Sequence, residues 1–166
     1  MSHASLAAST ASTTIHAFLL AFRDDINAAA SPSTFASYFV SDSSDSSLPC
    51  CIEHGPSGHD ALPFLGRPFT SRDGILEYYQ LISEVLKGKG GTYDEEDLLV
   101  KMREGGKRAR AVWTGEAVWI VQKTGKEWKE AVVWAFDLGE VGDGEWKIQR
   151  WEVWADTLSA YLASRP

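Results

Sequence analysis

The sequence predicts an α+β fold in which a strongly curved, mostly antiparallel sheet packs on three N-terminal helices. Three observations lead there: apolar residues recur at helical spacing in the first half of the chain, apolar and polar residues alternate across the second half, and two short Gly-containing turns divide that second half into long strands. With 166 residues, 44% of them hydrophobic, one domain can bury a core without disulfides or metals.

Residues 1–14 are rich in Ser, Thr and Ala and lack the basic start and apolar run of a secretory signal, so they are expected as a disordered leader before a single domain over 15–163. Ile15, Phe18, Leu19, Phe22 and Ile26 then mark an amphipathic first helix. Ser31 followed by Pro32 is an N-cap with proline at the first helical position; the short second helix carries Phe35, Tyr38 and Phe39 and ends near Val40. The tract 41–47 contains only Ser and Asp and is expected as a solvated loop.

Cys50 to His54 reads as a first strand stopped by Gly55-Pro56. Thr70-Ser71-Arg72-Asp73 has capping-box spacing, and the helix behind it, with Ile75, Tyr78, Tyr79, Ile82 and Leu86, is apolar enough to lie across a sheet. Gly88 to Gly91 should end it. Strands follow at about Tyr93 to Arg103, Arg108 to Gln122, Glu127 to Leu138 and Glu145 to Ala155, and Asp156 caps a terminal helix.

If Thr124-Gly125 and Asp143-Gly144 are two-residue hairpin turns, the register follows by counting outward. Trp113, Phe136 and Trp151 then share a row, followed by Gly115, Trp134 and Val153, and by Ala117, Val132 and Ala155, all on one dry face that packs on the helices. Gly115 would leave room for the Trp134 indole. The other face takes Asp137 beside Arg150 as a cross-strand ion pair, with Glu152 and Glu116 nearby.

A net charge of -7 argues against a nucleic-acid footprint, because phosphate binding needs a basic face. No apolar run has the length of a membrane span. The two cysteines, Cys50 and Cys51, are adjacent and poorly placed to bridge each other, which suits a reducing, cytoplasmic setting. No Cys/His spacing suits zinc and no Gly-rich loop suits phosphate, so neither metal nor cofactor is expected.

Two stretches resemble a known family. Gly66-Arg67-Pro68-Phe69-Thr70-Ser71-Arg72-Asp73-Gly74-Ile75-Leu76-Glu77-Tyr78-Tyr79 resembles the glycine-led approach to the third helix of the SnoaL-like branch of the nuclear transport factor two superfamily. Asp143-Gly144-Glu145-Trp146-Lys147-Ile148-Gln149-Arg150-Trp151 resembles its final hairpin, with Asp156 where that strand commonly ends in an acid. The resemblance implies a cystatin-like cone and the range of activities its members show, from cofactor-free cyclases, isomerases and dehydratases to proteins without chemistry. It also implies a homodimer through the sheet face carrying Asp137, Arg150 and Glu152. Fold alone does not decide among these.

Within that frame His54, at the end of the first strand, is the candidate general acid or base. Glu53 points the opposite way in a regular strand, so one of the two should enter a cavity. An exposed Glu53 is expected; a buried one would have a raised pKa and could serve as an acid. Tyr38, Tyr79, Trp113, Trp134, Gln149 and Trp151 are candidates to bind a small hydrophobic substrate, although core packing explains the aromatic residues as well. A cofactor-independent acid–base enzyme needs at least two ionisable groups facing one cavity; a filled interior would instead suit a non-catalytic ligand-binding or dimerisation module.

Overall fold

In the computed structural model, which describes residues 3–42, 48–103 and 105–165, seven strands form one sheet. They are β1 (Cys50–His54), β2 (Phe69–Thr70), β3 (Leu86–Thr92), β4 (Leu98–Met102), β5 (Arg108–Val121), β6 (Glu127–Gly142) and β7 (Glu145–Trp154). The order is β2-β1-β7-β6-β5-β3, with β4 also pairing β5. All pairs are antiparallel except β1 with β7, where Glu53 faces Val153 and His54 faces Trp154. Helices α1 (His3–Asn27), α2 (Pro32–Ser37) and α3 (Ser71–Val85) precede the long strands, and α4 (Thr157–Ser164) follows them.

The second helix begins as its sequence dictates. Ser31 accepts from the Thr34 N–H and Pro32 occupies the first turn. Asp156 likewise accepts from the N–H groups of Leu158 and Ser159 at the start of α4. The start of α3 differs from the expected capping box. Thr70 makes no side-chain cap; instead Asp42 accepts from the Arg72 N–H at 2.9 Å and Ser71 Oγ from the Gly74 N–H at 3.3 Å. Helix α1 begins at His3, so positions 3–14, expected as a leader, continue the helix. Most of the Ser/Asp tract, residues 43–47, lies outside the described residues.

The dry face is as expected. Trp113, Trp134, Phe136 and Trp151 are buried beneath the helices, and Phe22 of α1 meets Trp134, Phe136 and Trp151 edge-on with centroids 6.0, 5.7 and 5.3 Å away. The Asp143-Gly144 turn forms with both residues at positive φ (51° and 80°), the twist a two-residue hairpin requires. Two register shifts beyond the turn, at Glu140/Gly142 and at Asp137/Leu138, offset each other, so Phe136 faces Trp151 and Trp134 faces Val153. The other hairpin closes differently. Val121 N–H donates to Lys126 O across four residues, which moves every β5–β6 partner by two, so that Trp113 faces Trp134 and Gly115 faces Val132. Because two is the side-chain period of a strand, the shift preserves which face is dry.

That shift changes the role of Gly115. A Cβ there would overlap Tyr93 Cδ1 and lie 2.6 Å from Thr92 O, so the glycine admits the Tyr93 ring rather than an indole; that ring stacks on Trp134 at 3.9 Å. Gly91 is constrained by the same ring, since a Cβ there would lie 2.6 Å from Tyr93 Cε2. The glycines of 88–91, read as a helix stop, belong to the edge strand β3. Gly115→Ala is expected to lower stability by about 1–3 kcal/mol in urea titration, since backbone as well as ring must move. An unchanged midpoint would show that Tyr93 does not cross that strand.

Candidate functional site

The inner face is packed shut where Phe22 meets Phe136 and opens where small residues replace aromatic ones. Ala117, Ala155 and Ala160 there line a cavity of about 200 Å³. Trp134, Trp151, Tyr93, Trp119 and Trp128 supply much of the remaining wall. Into this apolar space the strands bring two carboxyl groups, Glu53 from β1 and Glu130 from β6.

Glu53 lines the cavity wall and is half-buried. Burial, reinforced by the charge of Glu130, pushes its pKa from 4.5 up to about 8, against the opposing pull of the Tyr78 hydroxyl. That hydroxyl donates to Glu53 Oε2 at 3.1 Å. Glu130 is buried, at 8% exposure, and its pKa is also raised by burial. Hydrogen bonds from the Trp128 and Trp119 indoles hold it back, the former at 3.0 Å to Oε2. The charge of Glu130 makes ionisation of Glu53 harder, so the second proton leaves the pair at higher pH than the first. Tyr78 at Glu53 and the two indoles at Glu130 all favour the carboxylate form, and at Glu53 burial and the charge of Glu130 outweigh the single donor. Tyr93, whose hydroxyl is raised by burial and then by the charges of Glu130 and Glu53, lies within reach of both fields.

His54 is on the other face of the sheet. Its ring stacks on Trp154 at 4.3 Å, and Nε2 lies 3.4 Å from Glu152 Oε1 without hydrogen-bond geometry. The parallel pairing of β1 with β7 sets this: Glu53 shares the inward face of Val153, and His54 the outward face of Trp154. The expectation of an exposed Glu53 and an inward His54 is therefore reversed. His54→Ala should leave turnover of any cavity substrate within about twofold of wild type, and a loss of activity would place the reaction on the outer face.

Of the other candidates, Tyr79, Trp134 and Trp151 line the cavity, whereas Tyr38, Trp113 and Gln149 do not. Tyr38 donates to Asp25 Oδ2 at 2.6 Å and packs on Phe18 and Phe22. Trp113 is fully buried, its Nε1 donating to Asp94 O at 2.8 Å. Gln149 sits at a register shift of β7, its amide against Gly139. Asp137 faces Arg150 in the ladder but pairs with Arg110 instead, at 2.8 Å; Arg110 and Arg150 both reach Glu152, at 2.9 and 3.1 Å. These groups lie on the outer face, as their register requires.

The sequence reading missed Glu130, Tyr78, Tyr93, Trp119 and Trp128. Glu130 had a signal: it lies two residues before Val132 on the same strand, and so on the dry face. Both cysteines are free and buried. Among the described residues no cluster of His, Cys, Asp and Glu could hold a metal ion, and no helix is long and apolar enough to cross a membrane.

No protein-family model matches the sequence, and no curated protein matches it. Solved structures do match in fold. A ketosteroid isomerase-like protein from Erwinia carotovora atroseptica aligns over 87% of this chain and 95% of its own, with TM-score 0.66 and 16% identity. A type 2 hexachlorocyclohexane dehydrochlorinase aligns over 92% and 89%, with TM-score 0.66 and 12% identity. A nuclear transport factor two-like superfamily protein from Salmonella enterica aligns over 87% and 90%, with TM-score 0.64 and 14% identity. The architecture is the α+β cone that these structures share.

Proposed function

We propose that this chain, built on the nuclear transport factor two-like cone, is a cofactor-independent enzyme that moves protons on a small hydrophobic molecule, in the manner of an isomerase, dehydratase or cyclase. The observation that carries this reading is the pair Glu53 and Glu130 in one apolar cavity, with environments that separate their protonation states. Glu130, hydrogen-bonded by indole N–H groups, is the base that takes a proton from carbon. Glu53, protonated at neutral pH and accepting from Tyr78 on Oε2, is the acid that returns one with its other oxygen. The isomerase-like and dehydrochlorinase neighbours add support at the level of the fold.

The test does not require the natural substrate. Uptake of deuterium from D2O by cyclic ketones, followed by NMR, reads proton abstraction directly. The rate is expected to rise with pH as Glu130 ionises and to fall above about pH 8, where Glu53 loses its proton. A rate that climbs steadily through pH 10, matching free hydroxide, would rule out the carboxyl pair and leave a ligand-binding module.

A further inference from the structure

The cavity wall is short of a positive charge. It carries the carboxyl groups of Glu53 and Glu130 and no lysine, arginine or histidine, and no ion pair among the described residues includes either glutamate. Glu130, at 8% exposure, is held by neutral donors alone: the Trp128 and Trp119 indoles and the Asp156 backbone N–H. Buried charges in proteins are as a rule paired with a counter-charge or a metal. The basic residue next to Glu53 in β1, His54, faces the other way, and among the described residues no cluster could hold a metal ion. The fold sets a carboxylate in an apolar space and leaves its counter-charge to come from outside.

The rest of the wall points the same way. Tyr78, Tyr93, Trp119, Trp128, Trp134 and Trp151 supply much of it, and aromatic rings attract organic cations where aliphatic side chains do not. Their donors are spent or covered: Tyr78 on Glu53, Trp128 on Glu130, and Trp151 Nε1 enclosed by protein. An anion entering here would meet two carboxyl groups and little to offset them. The wall residues that reach solvent, Asn27, Ala29, Ser83 and Gly88, are uncharged, and the net charge of -7 draws cations toward the chain. An apolar cavity of about 150 Å³ accepts benzene, so the 200 Å³ here admits one ring or two fused rings.

We infer that the cavity takes a one- or two-ring organic cation, an amine or iminium whose positive nitrogen pairs with Glu130 among the indoles. The cost of burying that carboxylate is already met by the fold, so an entering cation meets a counter-charge fixed in place. The place of the cation in turnover rests on the acid–base reading above. In an iminium, Glu130 takes the proton from the carbon beside C=N, the C–H pair becomes the C=C bond of an enamine, and the C=N pair returns to nitrogen. Carboxylate and cation are both neutralised, and no donor is needed to hold charge on an oxygen. Binding itself does not depend on that reading.

The experiment is calorimetric titration of the full chain at neutral pH with three ligands of one skeleton: tetrahydroisoquinoline, which is protonated there, neutral tetralin, and tetralin-2-carboxylate. Wild type is expected to bind the cation about tenfold or more tighter than tetralin, and the anion undetectably. Glu130→Gln keeps the shape of the side chain and removes its charge, so it should erase most of the preference for the cation over tetralin. The ratio of affinities is the readout, so a variant whose cavity has changed in size still reports. If Glu130→Gln does not fold, the three wild-type affinities decide, because a merely apolar cavity ranks the hydrocarbon first. Equal or tighter binding of tetralin by wild type, measurable binding of the carboxylate at the affinity of the cation, or a preference that survives Glu130→Gln overturns the inference. The two readings separate: cation preference without deuterium uptake by the cyclic ketones keeps the ligand class and refutes the acid–base function, whereas uptake without cation preference does the reverse.

Discussion

Glu53→Gln and Glu130→Gln are each expected to reduce turnover by about 10²–10⁴-fold, the range over which a positioned acid or base contributes. The two should be distinguishable by pH. Glu130→Gln removes the base and leaves a low, flat rate. Glu53→Gln removes the acid, and with it the fall in rate above about pH 8. Stability supplies an independent reading because Glu53 has a raised folded pKa. Its folded form binds a proton that the unfolded chain has already released above about pH 4.5, so its contribution to stability is full below that pH and disappears as pH rises through about 8. The shift corresponds to at most about 4–5 kcal/mol, less whatever water entering the cavity screens. Urea titrations should therefore show wild type losing stability between pH 5 and about 8, and Glu53→Gln losing much less. Parallel pH curves for the two proteins would mean that Glu53 is solvated and charged at neutral pH, and the acid would have to be sought elsewhere.

That the aromatic face is legible in the sequence while the carboxyl pair is not follows from how strands encode burial. Alternation has a period of two, so an error of two residues, as in the Thr124-Gly125 hairpin, leaves Trp113, Trp134 and Phe136 on the same side. The face is robust to that error, but cross-strand neighbours are not: Gly115 exchanged a predicted indole for the Tyr93 ring. The choice between Glu53 and His54 needed different information. A five-residue strand of Cys, Cys, Ile, Glu and His has no clear alternation, and only its parallel pairing with β7 assigns the faces. Such a long-range partner leaves no local mark. Glu130 was legible by parity from Val132, yet a glutamate on an aromatic face reads as a solvated strand end until a cavity gives it somewhere to point. The glycines of β3 mislead for a related reason, because glycine serves close approach of a ring in a strand as readily as it stops a helix.

The largest loss of stability is expected at Phe22, which ties the roof to the sheet. It is fully buried, and its ring meets five others, Phe35 and Tyr38 from the helical layer and Trp134, Phe136 and Trp151 from the sheet, at 5.2 to 6.2 Å, all edge-on. Truncation to alanine leaves a void among rings that cannot collapse, because each is held by its own strand or by a second stacking partner, as Phe136 is by Trp151. The expected loss is about 3–5 kcal/mol, a large share of the stability of an ordinary domain, and a fall in Tm of about 10 °C. Phe22 does not line the cavity, so the deuterium-uptake rate of the folded variant should stay within about threefold of wild type. A loss under 1 kcal/mol would mean that α1 is not seated on the tryptophans. A stable variant that no longer exchanges deuterium would mean that the packed end and the open end of the cone are one compartment.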